Sequence, residues 1–161
     1  APEGAFSEKE LREHRVVVRD VVAALDGLPV SFPAEPQVME LPYVRHLHTP
    51  VRASAGADLD FGALLARLFP TAAVAGAPRQ VALALIAETE GLTRGWYAGA
   101  VGRIAPGDVD LAVALRCALV QGGRARVFAG AGIVAGSSAE AEWAETERKM
   151  MPVRRALEAR A

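Results

Sequence analysis

The chain has 161 residues, a formal net charge of −1 and 52% apolar residues, which suits one globular domain with its own core. The balanced charge, with no basic block, argues against nucleic acid as a partner and against electrostatic attachment to a membrane, and leaves small anionic metabolites in play. Cys117 is the only cysteine, so no internal disulfide forms and cytoplasm is the expected compartment. No apolar run reaches the length of a membrane span, and Ala1-Pro2-Glu3-Gly4 has neither the basic nor the apolar region of a signal peptide. The start also lacks Met, which points to a trimmed or partial chain.

In chain order, Ser7 and Glu10 have the spacing of a capping box, and Leu11, Val17, Val18, Val21, Val22 and Leu25 follow as an apolar helical stripe; a first helix is expected over Glu8 to Leu25. Pro29, Pro33 and Pro36 then enforce an extended passage, and Gln37 to Arg52 reads as strand. Two helices are expected next, Phe61 to Leu68 before Pro70, and Pro78 to Glu90, where Pro78 suits a first turn. From Gly95 onward the texture is that of an antiparallel meander: Trp96 to Ile104, a Pro106-Gly107-Asp108 turn, Asp110 to Val120, a Gly122-Gly123 turn, and Ala125 to Val134. A last helix over Ala139 to Leu157 carries Pro152, which should break or kink it near Met151.

Chemistry concentrates in a few places. Phe128-Ala129-Gly130-Ala131-Gly132-Ile133-Val134 reads as a glycine turn able to point bare N–H groups at an anion, and Glu142, Glu145 and Lys149 follow on the helix behind it. Glu10 with Glu13, and Glu142 with Glu145, each share a helix face. Four such carboxylates suit a hard ion such as magnesium, while the plain alternative is solvated helical glutamates near dipole-favoured N-termini. Lys9 and Lys149 are the only lysines, so each ammonium is a specific choice in an arginine-rich chain, although Lys149 also suits an ordinary pair with Glu145. Arg116 lies in an otherwise apolar run, Val113 to Val120, where a guanidinium needs either a bidentate carboxylate ligand or a core salt bridge. Tyr97 could place a phenol over a cavity or simply pack in the core. His46 and His48 share a strand face, but no third ligand has convincing spacing for zinc.

Taken in order, Lys9-Glu10-Leu11-Arg12-Glu13-His14, His46-Leu47-His48-Thr49, Phe69-Pro70-Thr71-Ala72-Ala73-Val74, Arg94-Gly95-Trp96-Tyr97-Ala98-Gly99, Val113-Ala114-Leu115-Arg116, Gly130-Ala131-Gly132-Ile133-Val134 and Glu142-Trp143-Ala144-Glu145 with Lys149 resemble the chorismate-utilising enzymes. These are the isochorismate, salicylate, anthranilate and aminodeoxychorismate synthases, and the Arg-Gly-Trp-Tyr-Ala-Gly and Phe-Ala-Gly-Ala-Gly-Ile-Val segments look most like isochorismate synthases. The resemblance implies an α+β fold of antiparallel sheet flanked by helices, of which this chain is the C-terminal portion of the catalytic domain. It implies magnesium as cofactor, with Glu13 and Glu145 as direct ligands and Glu10 and Glu142 holding its water shell. Tyr97, Arg116, the N–H groups of Gly130, Ala131 and Gly132, and Lys149 would bind the carboxylates of chorismate. His46 and Thr71 would lie near the ring and its leaving hydroxyl.

The same resemblance places the family's general-base lysine and general-acid glutamate upstream of these residues, in an N-terminal half of the domain that the chain lacks. The expected reaction, chorismate to isochorismate, serves both menaquinone and catechol siderophore synthesis. A salicylate synthase, an amine-forming relative and a non-catalytic chorismate-binding module are the competing readings.

Overall fold

The N-terminal segment closes as its local chemistry requires. The backbone N–H of Glu10 donates to Ser7 Oγ at 3.2 Å and that of Ser7 donates to Glu10 Oε2 at 2.7 Å, the reciprocal bonds of a capping box. Helix α1 follows over Glu8–Ala24, with Leu25 as its C-cap. This is a computed structural model that describes residues 6–41 and 44–159, in two units, Ala1–Ile86 and Ala87–Ala161.

In the first unit, α1 packs against α2 (Phe61–Leu68) and α3 (Ala72–Ala75). Strand β1 (Val30–Ser31) pairs antiparallel with β4 (Arg52–Ala53), and β2 (Gln37–Leu41) pairs with β3 (Val44–His48) in the register Gln37↔His48 to Leu41↔Val44. The single strand expected from Gln37 to Arg52 is therefore a hairpin followed by a separate short strand. Pro42, one of the two residues between β2 and β3, has no N–H for a ladder; residues 42 and 43 lie outside the described residues. Helix α2 has the predicted limits: the Ala63 N–H donates to its N-cap, Asp60, at 3.0 Å, and the Arg79 guanidinium takes the end carbonyls of Ala66 and Arg67 at 3.2 and 2.6 Å. Helix α4 (Arg79–Thr89) falls one residue inside each predicted end, while α3 was not expected.

In the second unit, β5 (Ala100–Ala105) pairs with β6 (Asp108–Val113), β7 (Cys117–Gln121) pairs with β8 (Arg124–Phe128), and α5 (Ala139–Glu158) packs on β8. The Gly122-Gly123 connection has φ of 56° and 72°, the double left-handed turn that matches strand twist. The fold is α+β with antiparallel strands flanked by helices, as expected, but the strands do not form one meander. Every described strand has a single partner, giving four two-stranded ribbons. The ladder stops because the backbone leaves strand geometry at two facing places. Arg116 has φ 49° and Ala98 has φ 63°, while the Ala98 N–H donates to Ala114 O at 2.9 Å and the Ala114 N–H donates to Gly99 O at 2.8 Å. Residues 95–98 form a turn and the strand begins at Ala100, not at Trp96. Of the break or kink expected at Pro152, the break is absent: α5 runs through it to Glu158, although proline has no N–H to donate to the Arg148 carbonyl.

Among the described residues the buried apolar set is small, Leu25, Ala75 and Ala98, whereas Trp96 is 83% exposed and Trp143 69%. Among the described residues no single helix is long and apolar enough to cross a membrane.

Candidate functional site

In the second unit Gly130 lies against Tyr97, and Lys149 links Gly130 to Glu145. The loop that carries Tyr97 follows α4, and in it Glu90 and Arg94, four residues apart, form a two-pronged ion pair: Arg94 Nε and Nη2 donate to the two Glu90 oxygens at 2.7 and 2.5 Å. That hydrogen bonding holds the Glu90 carboxyl below its ordinary pKa. The Arg94 guanidinium carbon lies 5.8 Å from the centroid of the Tyr97 ring, and the same ring stacks on Phe128 with centroids 5.5 Å apart and planes inclined by 19°. Burial pushes the phenol pKa up, against the opposing pull of Arg94, so at neutral pH Tyr97 keeps its proton and can donate it in a hydrogen bond.

Tyr97 explains Gly130. A Cβ built on Gly130 would stand 2.7 Å from the Tyr97 hydroxyl oxygen, and the Gly130 backbone does not occupy the left-handed region. A side chain here would have to displace the Tyr97 hydroxyl, so the glycine serves close approach and not a turn. The segment containing Gly130, Ala131 and Gly132 is irregular backbone between β8 and α5, and the positive-φ glycine follows later, at Gly136 with φ 93°; this corrects the expected glycine turn. Lys149 Nζ donates to Gly130 O at 3.0 Å and pairs with Glu145 Oε1 at 2.6 Å. Tyr97, Gly130, Lys149 and Glu145 are thus linked by successive contacts. Glu142, three residues before Glu145 on α5, is 6% exposed. Arg116 is half-buried in the break between β6 and β7, not within a strand as the apolar run suggested, and its left-handed backbone carries strain of about 1–2 kcal/mol.

In the first unit the candidates are placed on separate elements. Glu10 spends one carboxylate oxygen on the α1 cap, accepting from both the backbone and the hydroxyl of Ser7. Glu13 Oε1 is shielded from solvent without a well-directed hydrogen bond, although Lys9 Nζ lies 2.9 Å away. His46 sits on β3 opposite Met39. His14 Nε2 and Thr49 Oγ1 share a 2.7 Å hydrogen bond that ties α1 to the end of β3, and burial lowers the His14 pKa, helped by His48. Thr71 is the N-cap of α3 yet makes no side-chain cap bond. Asp20 from α1 does that work, its Oδ2 accepting the Ala72 N–H at 2.8 Å, so the Thr71 hydroxyl is spared. Neither Asp20 nor the Glu90–Arg94 brace was singled out from sequence. The spacing of Glu90 and Arg94 was a usable signal; nothing local marks Asp20.

Residues 5–158 match the family model described as chorismate binding enzyme. The chain belongs to the chorismate-binding enzymes. Isochorismate synthase MenF of Haemophilus influenzae is 42% identical over 143 residues, 88% of this chain and 33% of that protein. The salicylate biosynthesis isochorismate synthase of Pseudomonas aeruginosa is 40% identical over 156 residues, 95% of this chain and 33% of that protein. Among solved structures, Escherichia coli MenF matches with a TM-score of 0.82 at 39% identity, covering 92% of this chain and 35% of that one. DhbC of Bacillus anthracis matches with a TM-score of 0.86 at 37% identity, covering 94% and 41%. The chain spans about a third of the length of these curated relatives.

For a chorismate-binding enzyme the donor set matters. Glu10, Glu13, Glu142 and Glu145 offer only carboxylate oxygens, the ligand type a magnesium ion accepts, and Glu13 holds one such oxygen out of water. Among the described residues no three His, Cys, Asp or Glu side chains converge closely enough to hold a metal by themselves. Within each unit the pair, Glu10 with Glu13 on α1 and Glu142 with Glu145 on α5, is of the donor type that magnesium accepts.

Proposed function

We propose that this chain is the part of an isochorismate synthase that binds magnesium and the carboxylates of chorismate. The observation that carries the reading is the linked set Tyr97, Gly130, Lys149 and Glu145, which gathers a neutral O–H donor, an ammonium and an acid in a chain whose relatives are named isochorismate synthases. On this reading Lys149 supplies a fixed positive charge, Arg116 a bidentate fork, Tyr97 a hydroxyl donor, and the N–H groups of Gly130, Ala131 and Gly132 further donors to the substrate's carboxylates. Glu13 and Glu145 would hold magnesium directly and Glu10 and Glu142 its waters, and bound magnesium would neutralise carboxylate charge as the ring reacts. His46 and Thr71 would stand by the ring, Thr71 free to hydrogen-bond because Asp20 caps α3 in its place.

The net reaction adds water at one ring carbon while hydroxide leaves another, so it needs an acid and a base besides these groups. The resemblance assigns neither role to Lys9 or Lys149. The chain alone is therefore expected to bind chorismate without turning it over. Proton NMR of chorismate with magnesium tests this, using the chain alone and a polypeptide extended to the relatives' length. Isochorismate from the extended form only is the expected result, and pyruvate alongside it would indicate a salicylate synthase. No product from either form would leave a binding module as the better reading. Glu145→Gln should weaken magnesium-dependent binding, and Arg116→Ala should weaken chorismate binding with less effect on metal affinity. Unchanged chorismate affinity in both variants would refute the site.

A further inference from the structure

We propose that Glu90 and Arg94 are positioning residues that hold the Tyr97 phenol over Gly130 before any ligand arrives. The inference deepens the carboxylate-binding role given to Tyr97 above and rests on it. Tyr97 lies in a turn, between Gly95 with φ 57° and Ala98 with φ 63°, so no strand ladder fixes its side chain. What fixes it is lateral: the ring stacks on Phe128 and lies beneath the flat Arg94 guanidinium. An arginine has several rotatable bonds and would wander if held by the ring alone, but both prongs of this one are taken by Glu90, which leaves the guanidinium one orientation. The missing Cβ of Gly130 gives the hydroxyl its space. Brace, ring and glycine together form a pre-set donor, so the ordering is complete before binding.

The test reads ring placement independently of substrate. Tyr97 and Tyr43 are the two tyrosines, and subtracting the ultraviolet tyrosinate titration of Tyr97→Phe isolates Tyr97. If Arg94 contributes only charge, Arg94→Met leaves the ring buried without its cation, and the Tyr97 midpoint rises. If Arg94 positions the ring, the ring is released into water and the midpoint falls toward that of a free tyrosine; this is the expected result. Arg94→Lys, which keeps the charge but not the flat fork, should also fall. That variant serves if Arg94→Met does not fold; Glu90→Gln removes a negative charge that itself raises the midpoint and is therefore read by affinity. Calorimetric titration with chorismate and magnesium should show affinity about fivefold weaker in Arg94→Met and Glu90→Gln, with little further loss when either is added to Tyr97→Phe. A midpoint that rises or stays in Arg94→Met, with Arg94→Lys like the unaltered chain, overturns the brace. Absence of chorismate binding by the unaltered chain would instead overturn the proposed function, while the titration still decides the brace.

Discussion

The two lysines of the chain each pair with a glutamate one helical turn away, Lys9 with Glu13 on α1 at 2.9 Å and Lys149 with Glu145 on α5 at 2.6 Å. The spacing is the same, but the order is reversed. On α5 the acid precedes the base, the orientation that the helix dipole favours, whereas on α1 the base comes first. Lys149 also reaches out of its helix to the Gly130 carbonyl, so its ammonium joins α5 to the segment beneath Tyr97. On α5 the four-residue spacing thus serves a joint between elements.

That contrast can be attacked from its strongest side. Gly130→Ala forces a Cβ against the Tyr97 hydroxyl and should destabilise the chain by roughly 2 kcal/mol. Urea unfolding would show it, and Tyr97→Phe should recover much of the loss, because removing the hydroxyl removes the clash. If the double variant is as unstable as the sum of the singles, Tyr97 is not what confines Gly130. Next in size, Lys149→Met should cost about 1.5 kcal/mol through loss of a charge-assisted bond and an ion pair; a loss in thermal unfolding no larger than the few tenths of a kcal/mol of an ordinary helical pair would show that the bond to Gly130 adds nothing. Asp20→Ala should cost about 1 kcal/mol by uncapping α3, with Asp20→Asn largely restoring it.

The smallest effect belongs to a third pair of the same spacing, Glu90–Arg94. Arg94 holds the Glu90 carboxyl below its ordinary pKa, so the unfolded chain takes up the proton first as pH falls. The stabilisation is complete above the ordinary glutamate range and disappears as pH drops through the folded value. With both side chains partly exposed, a few tenths of a kcal/mol are expected. Glu90→Gln should remove that portion of the acid-side slope in unfolding measured against pH.

What could be read from sequence follows the range of the interaction that decides it. The α1 start, the limits of α2 and the Gly122-Gly123 turn are set by residues within a few positions of one another, so composition and spacing reveal them. The breaks at residues 95–98 and 114–116 are different. Ala98 and Arg116 adopt left-handed backbone although neither is a glycine, and an apolar run gives no sign of that, because pairing with a distant segment holds it in place. The ordered motifs located Tyr97, Gly130, Lys149 and Glu145, but not the reason Gly130 is glycine, which lies 33 positions away at Tyr97. Asp20 looks in sequence like one more solvated acid on a helix, and only its meeting with Ala72 gives it a role.

The ribbons have a consequence for exchange with solvent. Each described strand has one partner, and in a two-stranded antiparallel ribbon alternate N–H groups point inward to that partner while the others point away. Deuterium uptake along β5 to β8 should therefore alternate, slow and fast, residue by residue. Any partner that docks against a free strand edge would announce itself by slowing the fast set while leaving the slow set as it was.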